Sequence, residues 1–510
     1  MILVIAVLLR AILLDVKPVH FDEGINGWFL EQIWREGFYR YDPENYHGPL
    51  YFYILQLGEV VLGHSLVAMR LVTGLISAAT VLIVLLHARW FGKAMYWAAA
   101  LLAVSPGMVF YGRYAIHESL FVLMQAIFIY GFFRWKFEGG RVAVLALVIG
   151  IVGCVATKET FIIFFGTWLI ATLLIPLMFR LDDRLSAQLP LSGLRRARKM
   201  FDDSNTPVCD REPVPPEFVV ATIAAGLFVL SLLFSGFFFN LDGITDGFRS
   251  IAFWSQTGAE GTGHVKPFSY WLLLLLRYEL PCIMALVCIP LLWFRRSAAL
   301  WQMSLVALGI VLAYSIIPYK TPWLIIGQIL PLAFVFGFLV DTLGVLRAKN
   351  TPGAIPLIAV LLLAISLTIS VRLNFRDYVN FTEPYVYVQT SLDVPVVKRM
   401  VDMVAEQAPQ ERNMNILFLD QNFWPLPWLF GEYPNVEFGK IDSISSADQD
   451  VMTAEAGDEE KLEALLMDRY YRFPFLLRDS ASTGSVYFRQ SLFEPVVAQI
   501  IDPAAVTIVP

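Results

Sequence analysis

Five short stretches set ionisable side chains at the edges of long apolar runs. His20-Phe21-Asp22-Glu23-Gly24 places two adjacent carboxylates beside a histidine, and Tyr46-His47-Gly48-Pro49-Leu50 follows in the same loop. Further on come Gly112-Arg113-Tyr114-Ala115-Ile116-His117-Glu118, Thr157-Lys158-Glu159-Thr160 and Pro318-Tyr319-Lys320-Thr321-Pro322-Trp323. A carboxylate supplies a general base or a metal ligand, while Arg and Lys neutralise phosphate oxygens. At the depth of lipid headgroups that chemistry suits a substrate with a phosphate and a long apolar tail, and polyprenyl-phosphate-linked sugars are of this kind. Each stretch also has a plainer reading: an acidic pair caps a helix, Arg113 or Lys320 snorkels to the interface, and Lys158-Glu159 closes a tight turn. The connections at 112–117, 158–159 and 319–323 are too short to be domains, yet each brings a cation, a carboxylate or both to one surface. Ionisable groups at such depth are expensive, which favours function over structure.

The elements that carry these stretches are membrane helices. Of 510 residues, 57% are hydrophobic and 16% charged, against about 45–50% and about 25% in soluble globular domains. This excludes a soluble enzyme, and continuous apolar runs exclude a β-barrel. Runs of about 20 apolar residues fall near 1–14, 67–88, 94–111, 118–133, 142–157, 160–179, 217–238, 269–294, 298–318, 323–346 and 354–371. The sequence therefore predicts an α-helical polytopic membrane protein of eleven spans. The first run carries Arg10 but has no basic n-region and no small-residue cleavage site, so it reads as a retained span, abbreviated at its cytoplasmic end. Alternate connections hold Arg89 and Lys93; Arg134, Lys136 and Arg141; Arg180 to Arg211 with the cluster Arg195, Arg196, Arg198 and Lys199; Arg295 and Arg296; Arg347 and Lys349. These 16 basic residues mark the cytoplasmic side. The first loop 15–66, the other chemistry-bearing turns and the C-terminal tail then face outward, with the N-terminus inside a cell membrane.

From Asn374 onward, 21 acidic residues oppose 10 basic ones, whereas the preceding part has 28 basic and 23 acidic. The spacing predicts a transmembrane domain over 1–372 and a soluble extracytoplasmic α/β domain over 373–510. In the tail, Val394–Gln407 has helical periodicity, Asn415–Asp420 reads as a buried strand, Trp424–Trp428 as a proline-broken turn, and a helix is expected from Lys461. Cys154, Cys209, Cys282 and Cys288 form neither a disulfide framework nor a CxxC metal site.

The acidic pair behind a first span, the HGPL stretch, the Arg-containing second outer turn and the outer C-terminal domain resemble the GT-C glycosyltransferases. Asp22 through His117-Glu118 carries the likeness in motif, and the remainder agrees in topology. The chain is similar to the branch of protein O-mannosyltransferases and the lipid A aminoarabinose transferase. Within the superfamily it resembles most a group of archaeal and bacterial membrane proteins with a flippase-associated name, linked to archaeal N-glycosylation. The resemblance implies that a first-loop carboxylate deprotonates an acceptor, which attacks the anomeric carbon with inversion and expels the lipid phosphate. Asp22 matches that base, with Glu23 positioning the acceptor or sharing the role. It also implies that Arg113, Lys158 and Lys320 stabilise the phosphate, with His20, Tyr46, His47, His117, Glu118, Glu159 and Tyr319 contacting substrate. His117-Glu118 occupies the region where oligosaccharyltransferases place metal-binding acids, so a divalent ion on His20, Asp22 and Glu118 is an option; no cofactor is otherwise implied. The expected partners are a polyprenyl-phosphate sugar donor, the bilayer and a protein, glycan or lipid acceptor, with no nucleic acid.

Two other classes compete. A flippase or transport component without bond-forming chemistry would carry charges within its spans or paired broken helices; Arg277 with Glu279, and Asp341, are the main such residues. A membrane-anchored scaffold does not call for eleven spans. The Asn380-Phe381-Thr382 sequon follows the last span.

Overall fold

The computed structural model describes residues 1–188, 211–260, 263–293, 295–347, 353–407, 412–420, 422–478, 483–500 and 507–509. The basic cluster Arg195, Arg196, Arg198 and Lys199, and also Cys209 and Lys349, lie outside the described residues. The chain divides into two units, Met1–Leu14 with Gln32–Arg376, and Asp15–Glu31 with Asp377–Pro510. The start of the first loop thus clusters with the C-terminal residues.

In the first unit, seven helices among the described residues are long and apolar enough to cross a membrane: Leu66–Phe91, Glu118–Phe137, Phe161–Arg184, Pro216–Phe234, Ala298–Ile316, Pro322–Gly344 and Ala354–Phe375. The pair Tyr270–Tyr278 and Leu280–Leu292, bent by 118°, makes an eighth when counted as one span. The protein is therefore a multi-pass membrane protein. The other three stretches expected as spans form shorter apolar helices, Ile2–Ala11 of 10 residues, Lys93–Val104 of 12 and Arg141–Val155 of 15. A further apolar helix, Leu50–Leu62, lies in the first loop. Pro322–Gly344 is buried over most of its length, against Lys93–Val104 and its neighbours.

Two expected spans are interrupted, and one residue joins the two breaks. The run 94–111 stops at Ser105, whose hydroxyl accepts from Met108 N to cap the helix Pro106–Tyr111, with Pro106 at its first position. The run 269–294 breaks at Glu279, just before Pro281. Buried Glu279 accepts from Ser105 Oγ at 3.0 and 2.9 Å and from Gly107 N at 2.6 Å. A carboxylate at the start of a helix, taking its otherwise unbonded N–H groups, is favoured by charge and by hydrogen bonding.

In the second unit, six strands form one sheet: β1 Ile416–Leu419, β2 Val436–Gly439, β3 Val451–Glu455, β4 Tyr470–Leu476, β5 Thr483–Arg489 and β6 Thr507–Val509, in the order β2-β1-β3-β5-β4-β6. β1 runs parallel to β2 and β3, whereas the β3–β5, β5–β4 and β4–β6 pairs are antiparallel. β1 is buried along its length, as a central strand covered on both faces must be. On one face Phe418 and Phe488 pack with Val397, Val401, Phe493 and Val496 of the helices Asp393–Gln407 and Gln490–Ile500. On the other, Leu417, Leu419, Met452 and Tyr487 pack with Ile441 and Leu462. The Trp424–Trp428 segment contains a cis Trp424–Pro425 bond and a short helix, Leu426–Leu429.

Candidate functional site

In the membrane unit, the turn between Arg141–Val155 and Phe161–Gln188 is the seat of a buried ionic cluster. The Thr157 and Lys158 amides both bond Cys154 O, at 3.3 and 3.1 Å, so the chain reverses within a few residues and presents Lys158 and Glu159 together. Lys158 Nζ lies 2.7 Å from Glu118 Oε1 and 3.9 Å from Glu159 Oε1. Glu118 is the first residue of its helix, where the helix dipole favours a carboxylate. The segment Tyr46–Leu50 lies along the same turn, with Gly48 N donating to Thr157 O at 3.1 Å and Leu50 N to Ala156 O at 2.9 Å. Only glycine fits at 48, because a Cβ there would stand 2.2 Å from Ala156 O. Tyr46 turns the chain in the left-handed region, φ 45°. His47 Nδ1 then meets Glu159 Oε2 at 3.0 Å. His117 is packed by the rings of His47 and Tyr51, each at 4.6 Å, and Phe52 at 5.0 Å. Behind them, Tyr314 lies near Thr160 and the ionic cluster.

Burial sets the electrostatics. It lowers the pKa of Lys158, but the adjoining Glu118 and Glu159 carboxylates outweigh that and hold it above the ordinary lysine value. Burial raises the pKa of Glu159, while Lys158 and His47 more than reverse this, so it titrates below the usual carboxyl range. His117 is pushed well below an ordinary histidine by burial, helped by His47 and Lys158, and is neutral. One ammonium and two carboxylates thus share a buried space, with His47, its side chain 24% exposed, as the member that reaches outward.

The other two cations are held by carbonyls. Arg113 donates to Leu9 O at 3.0 Å, Ile12 O at 2.8 Å and Leu13 O at 2.8 Å, and its guanidinium lies 4.7 Å from the Phe375 ring centroid. It closes the C-terminal end of Ile2–Ala11. Lys320 Nζ donates to Ile317 O at 2.5 Å and Lys266 O at 3.2 Å, and the Tyr319 ring sits 5.0 Å from His264. Carbonyls orient an ammonium without cancelling its charge, and burial leaves Lys320 with a lowered pKa.

In the second unit, Asp22 and Glu23 open the helix Phe21–Glu36. His20 Nδ1 accepts from Asp22 N at 3.2 Å, and Glu23 Oε2 accepts from His20 N at 2.8 Å, a reciprocal cap. His20 Nε2 donates to Tyr387 O at 2.8 Å, which assigns the Nε2–H tautomer. Glu23 is buried and Asp22 half-buried. Gly24 and Gly27, three apart on one helix face, admit Pro425 and Trp428: added Cβ atoms would stand 2.2 Å from Pro425 Cβ and 2.3 Å from the Trp428 ring. The partners Tyr387, Gln389, Pro425 and Trp428 carry no ionisable signature, and nothing in their local sequence points to Asp22. Tyr51, Thr160 and Tyr314 were missed because each reads as an ordinary residue of an apolar helix or its edge.

No family model matches the chain, and no curated protein matches it in sequence. Solved structures match over nearly its whole length. ArnT from Cupriavidus metallidurans aligns with TM-score 0.60 in its apo state and 0.58 bound to undecaprenyl phosphate, each at 14% identity over 96% of this chain and 98% of ArnT. The chain has a GT-C fold. The Archaeoglobus fulgidus oligosaccharyltransferase, a second GT-C glycosyltransferase, aligns with TM-score 0.50 and 12% identity over 96% of this chain and 73% of its own. That structure is a complex with Zn and sulfate. Here Glu118, the acid expected to hold a metal, is taken by Lys158 at 2.7 Å, and among the described residues no group of three or more His, Cys, Asp or Glu is placed around a common point. Among the described residues, the expected His20, Asp22 and Glu118 set does not fit a metal.

Proposed function

We propose that the protein is an integral-membrane glycosyltransferase that moves a sugar from a polyprenyl-phosphate donor to an acceptor at the extracytoplasmic face. The observation that carries this is the shared fold, over 96% of this chain, with an ArnT structure that holds undecaprenyl phosphate. The 16 basic residues of the alternate connections support an inside N-terminus and an outside C-terminal domain. Asp22 acts as the base: it removes the acceptor proton as the acceptor attacks the anomeric carbon, the bond to the phosphate oxygen breaks, and the configuration inverts. Glu23, committed to the His20 amide, supports it. Tyr46, His47, His117, Glu118, Lys158 and Glu159 form the substrate-contacting cluster of the membrane unit.

Charge balance separates the three cations. Lys158 faces two carboxylates, whereas the bonds of Arg113 and Lys320 run to carbonyls. Lys320 has two such bonds and a third N–H, so with Tyr319 beside it we assign it to the departing phosphate, whose negative charge offsets the burial that lowers its pKa. The test is release or transfer of radiolabelled sugar from a polyprenyl-phosphate donor by purified protein. Asp22→Asn is expected to lower kcat by about 10²–10⁴-fold with the fold intact, and Lys320→Met to weaken donor binding. Unchanged turnover in Asp22→Asn sinks the assignment.

The transport alternative draws on one observation, the span broken at Glu279 and bent by 118°. Transporters use discontinuous helices in corresponding positions of two repeats, and among the described residues there is one such pair. Lipid-linked glycan crossing a vesicle membrane without sugar release would favour that reading.

A further inference from the structure

We infer that His20 is a positioning residue, through which the C-terminal segment 387–390 sets the orientation of the Asp22 carboxylate. The inference rests on the reading of Asp22 as the base and adds that the C-terminal domain takes part in catalysis by holding it.

The geometry is local to one unit. Helices are usually capped by Ser, Thr, Asp or Asn, whose short side chains accept from the second or third helical N–H. His20 does this with Nδ1, accepting from Asp22 N at 3.2 Å. What an imidazole adds is a second nitrogen on the far side of the ring, and it donates to Tyr387 O at 2.8 Å. The cap is thereby tied to a segment 367 residues downstream. The tie is reinforced around it. His20 forms an antiparallel bridge with Gln389; the Gln389 amide donates to Pro18 O at 3.0 Å and Val19 O at 3.3 Å, and Thr390 Oγ1 donates to Val19 O at 2.5 Å. Glu23 returns to the His20 amide at 2.8 Å, and Gly24 N donates to His20 O at 3.1 Å. The residues on either side of Asp22 are thus fixed through His20, and both ring nitrogens are engaged in doing so. A ring used in this way acts on the reaction through Asp22.

The experiment measures kcat and donor KM for sugar transfer by the full-length protein in detergent, comparing His20→Ala, His20→Asn and Asp22→Asn. A displacement of about 1 Å at a reacting group can cost about 10²-fold in rate, so His20→Ala is expected to lose about ten- to a hundredfold in kcat with donor KM unchanged. Asn keeps a cap acceptor but has no second ring nitrogen to reach Tyr387 O, so His20→Asn is expected to fold and yet to lose kcat about as His20→Ala does. If His20→Ala does not fold, His20→Asn alone decides: a folded protein with kcat lowered about tenfold or more at unchanged donor KM sustains the role of the Tyr387 tie, and a parent-like kcat overturns it. A rise in donor KM equal to the loss in kcat/KM would also overturn it, by making His20 a substrate ligand. Parent-like turnover by Asp22→Asn would instead defeat the underlying reading, whatever the His20 variants do.

Discussion

Replacing Lys158 by Met removes the only ammonium bonded within the buried cluster and leaves two carboxylates facing each other. Lys158 is 4% exposed, Glu118 5% and Glu159 4%. Breaking a buried pair in this way costs about 3–5 kcal/mol, but the loss has a ceiling, because a carboxylate denied its partner can take a proton. For a carboxyl with an ordinary pKa of about 4.3, protonation at pH 7 costs about 3.7 kcal/mol, at about 1.36 kcal/mol per pH unit. At pH 5.5 the same ceiling falls to about 1.6 kcal/mol. Lys158→Met is therefore expected to lose about 3–3.7 kcal/mol of stability at pH 7 and no more than about 1.6 kcal/mol at pH 5.5. Adding Glu118→Gln, which removes one of the two charges at nearly constant shape, should restore most of the loss at pH 7. Denaturant unfolding of the four members of this cycle in detergent, at both pH values, measures it. A loss independent of pH, or a double variant no more stable than Lys158→Met, would refute the ionic account and leave only the packing of the lysine stem.

The membrane part was legible where it obeys hydropathy, since each of the eleven apolar stretches is helical, although three are short and two are interrupted. What joins the two interruptions was not legible, because the partners of Glu279 are remote in sequence: nothing near it shows that it accepts from the Ser105 hydroxyl and the Gly107 N–H. The same physics hid the surroundings of Arg113 and Lys320. A cation in a short connection reads as a ligand for an anion, but a backbone carbonyl is an acceptor that every residue type supplies, so Leu9, Ile12 and Lys266 carry no mark of it. Lys158 and Glu118 could be read as chemistry-bearing residues, but not as a pair, because the sequence offers Glu159 as the adjoining partner and the structure puts Glu118 nearer. In the C-terminal unit, Asn415–Asp420 and Val394–Gln407 could be read from burial and period. The attachment of Asp15–Glu31 to that unit could not, because Gly24 and Gly27 acquire meaning only once Pro425 and Trp428 stand against them.

Two further outcomes follow from the cluster in the membrane unit. Gly48→Ala would drive a Cβ to 2.2 Å from Ala156 O, a backbone atom that cannot swing away; the expected cost is about 1–3 kcal/mol, read as a lower thermal midpoint, and a midpoint equal to the parent's would mean that the Tyr46–Leu50 segment is not held on the turn. The second concerns acid. His117 titrates well below the ordinary 6.5 in the folded state, because burial and its neighbours His47 and Lys158 all disfavour the imidazolium. Below pH 6.5 the unfolded chain thus binds a proton that the folded chain does not, and stability falls as the pH drops, by up to about 1.4 kcal/mol per unit. Glu159, with a lowered pKa, adds its own loss only below the ordinary carboxyl value of 4.5, and Lys158, with a raised one, contributes fully below 10.5. His264, also lowered, shares the window but is common to parent and variant. His117→Phe keeps a ring among Tyr51, Phe52 and His47 and removes the proton site, so its unfolding midpoint should fall less steeply than the parent's between pH 6.5 and 5. Parallel curves would show that His117 is charged or exposed in the folded protein, and the neutral packed ring would have to be given up.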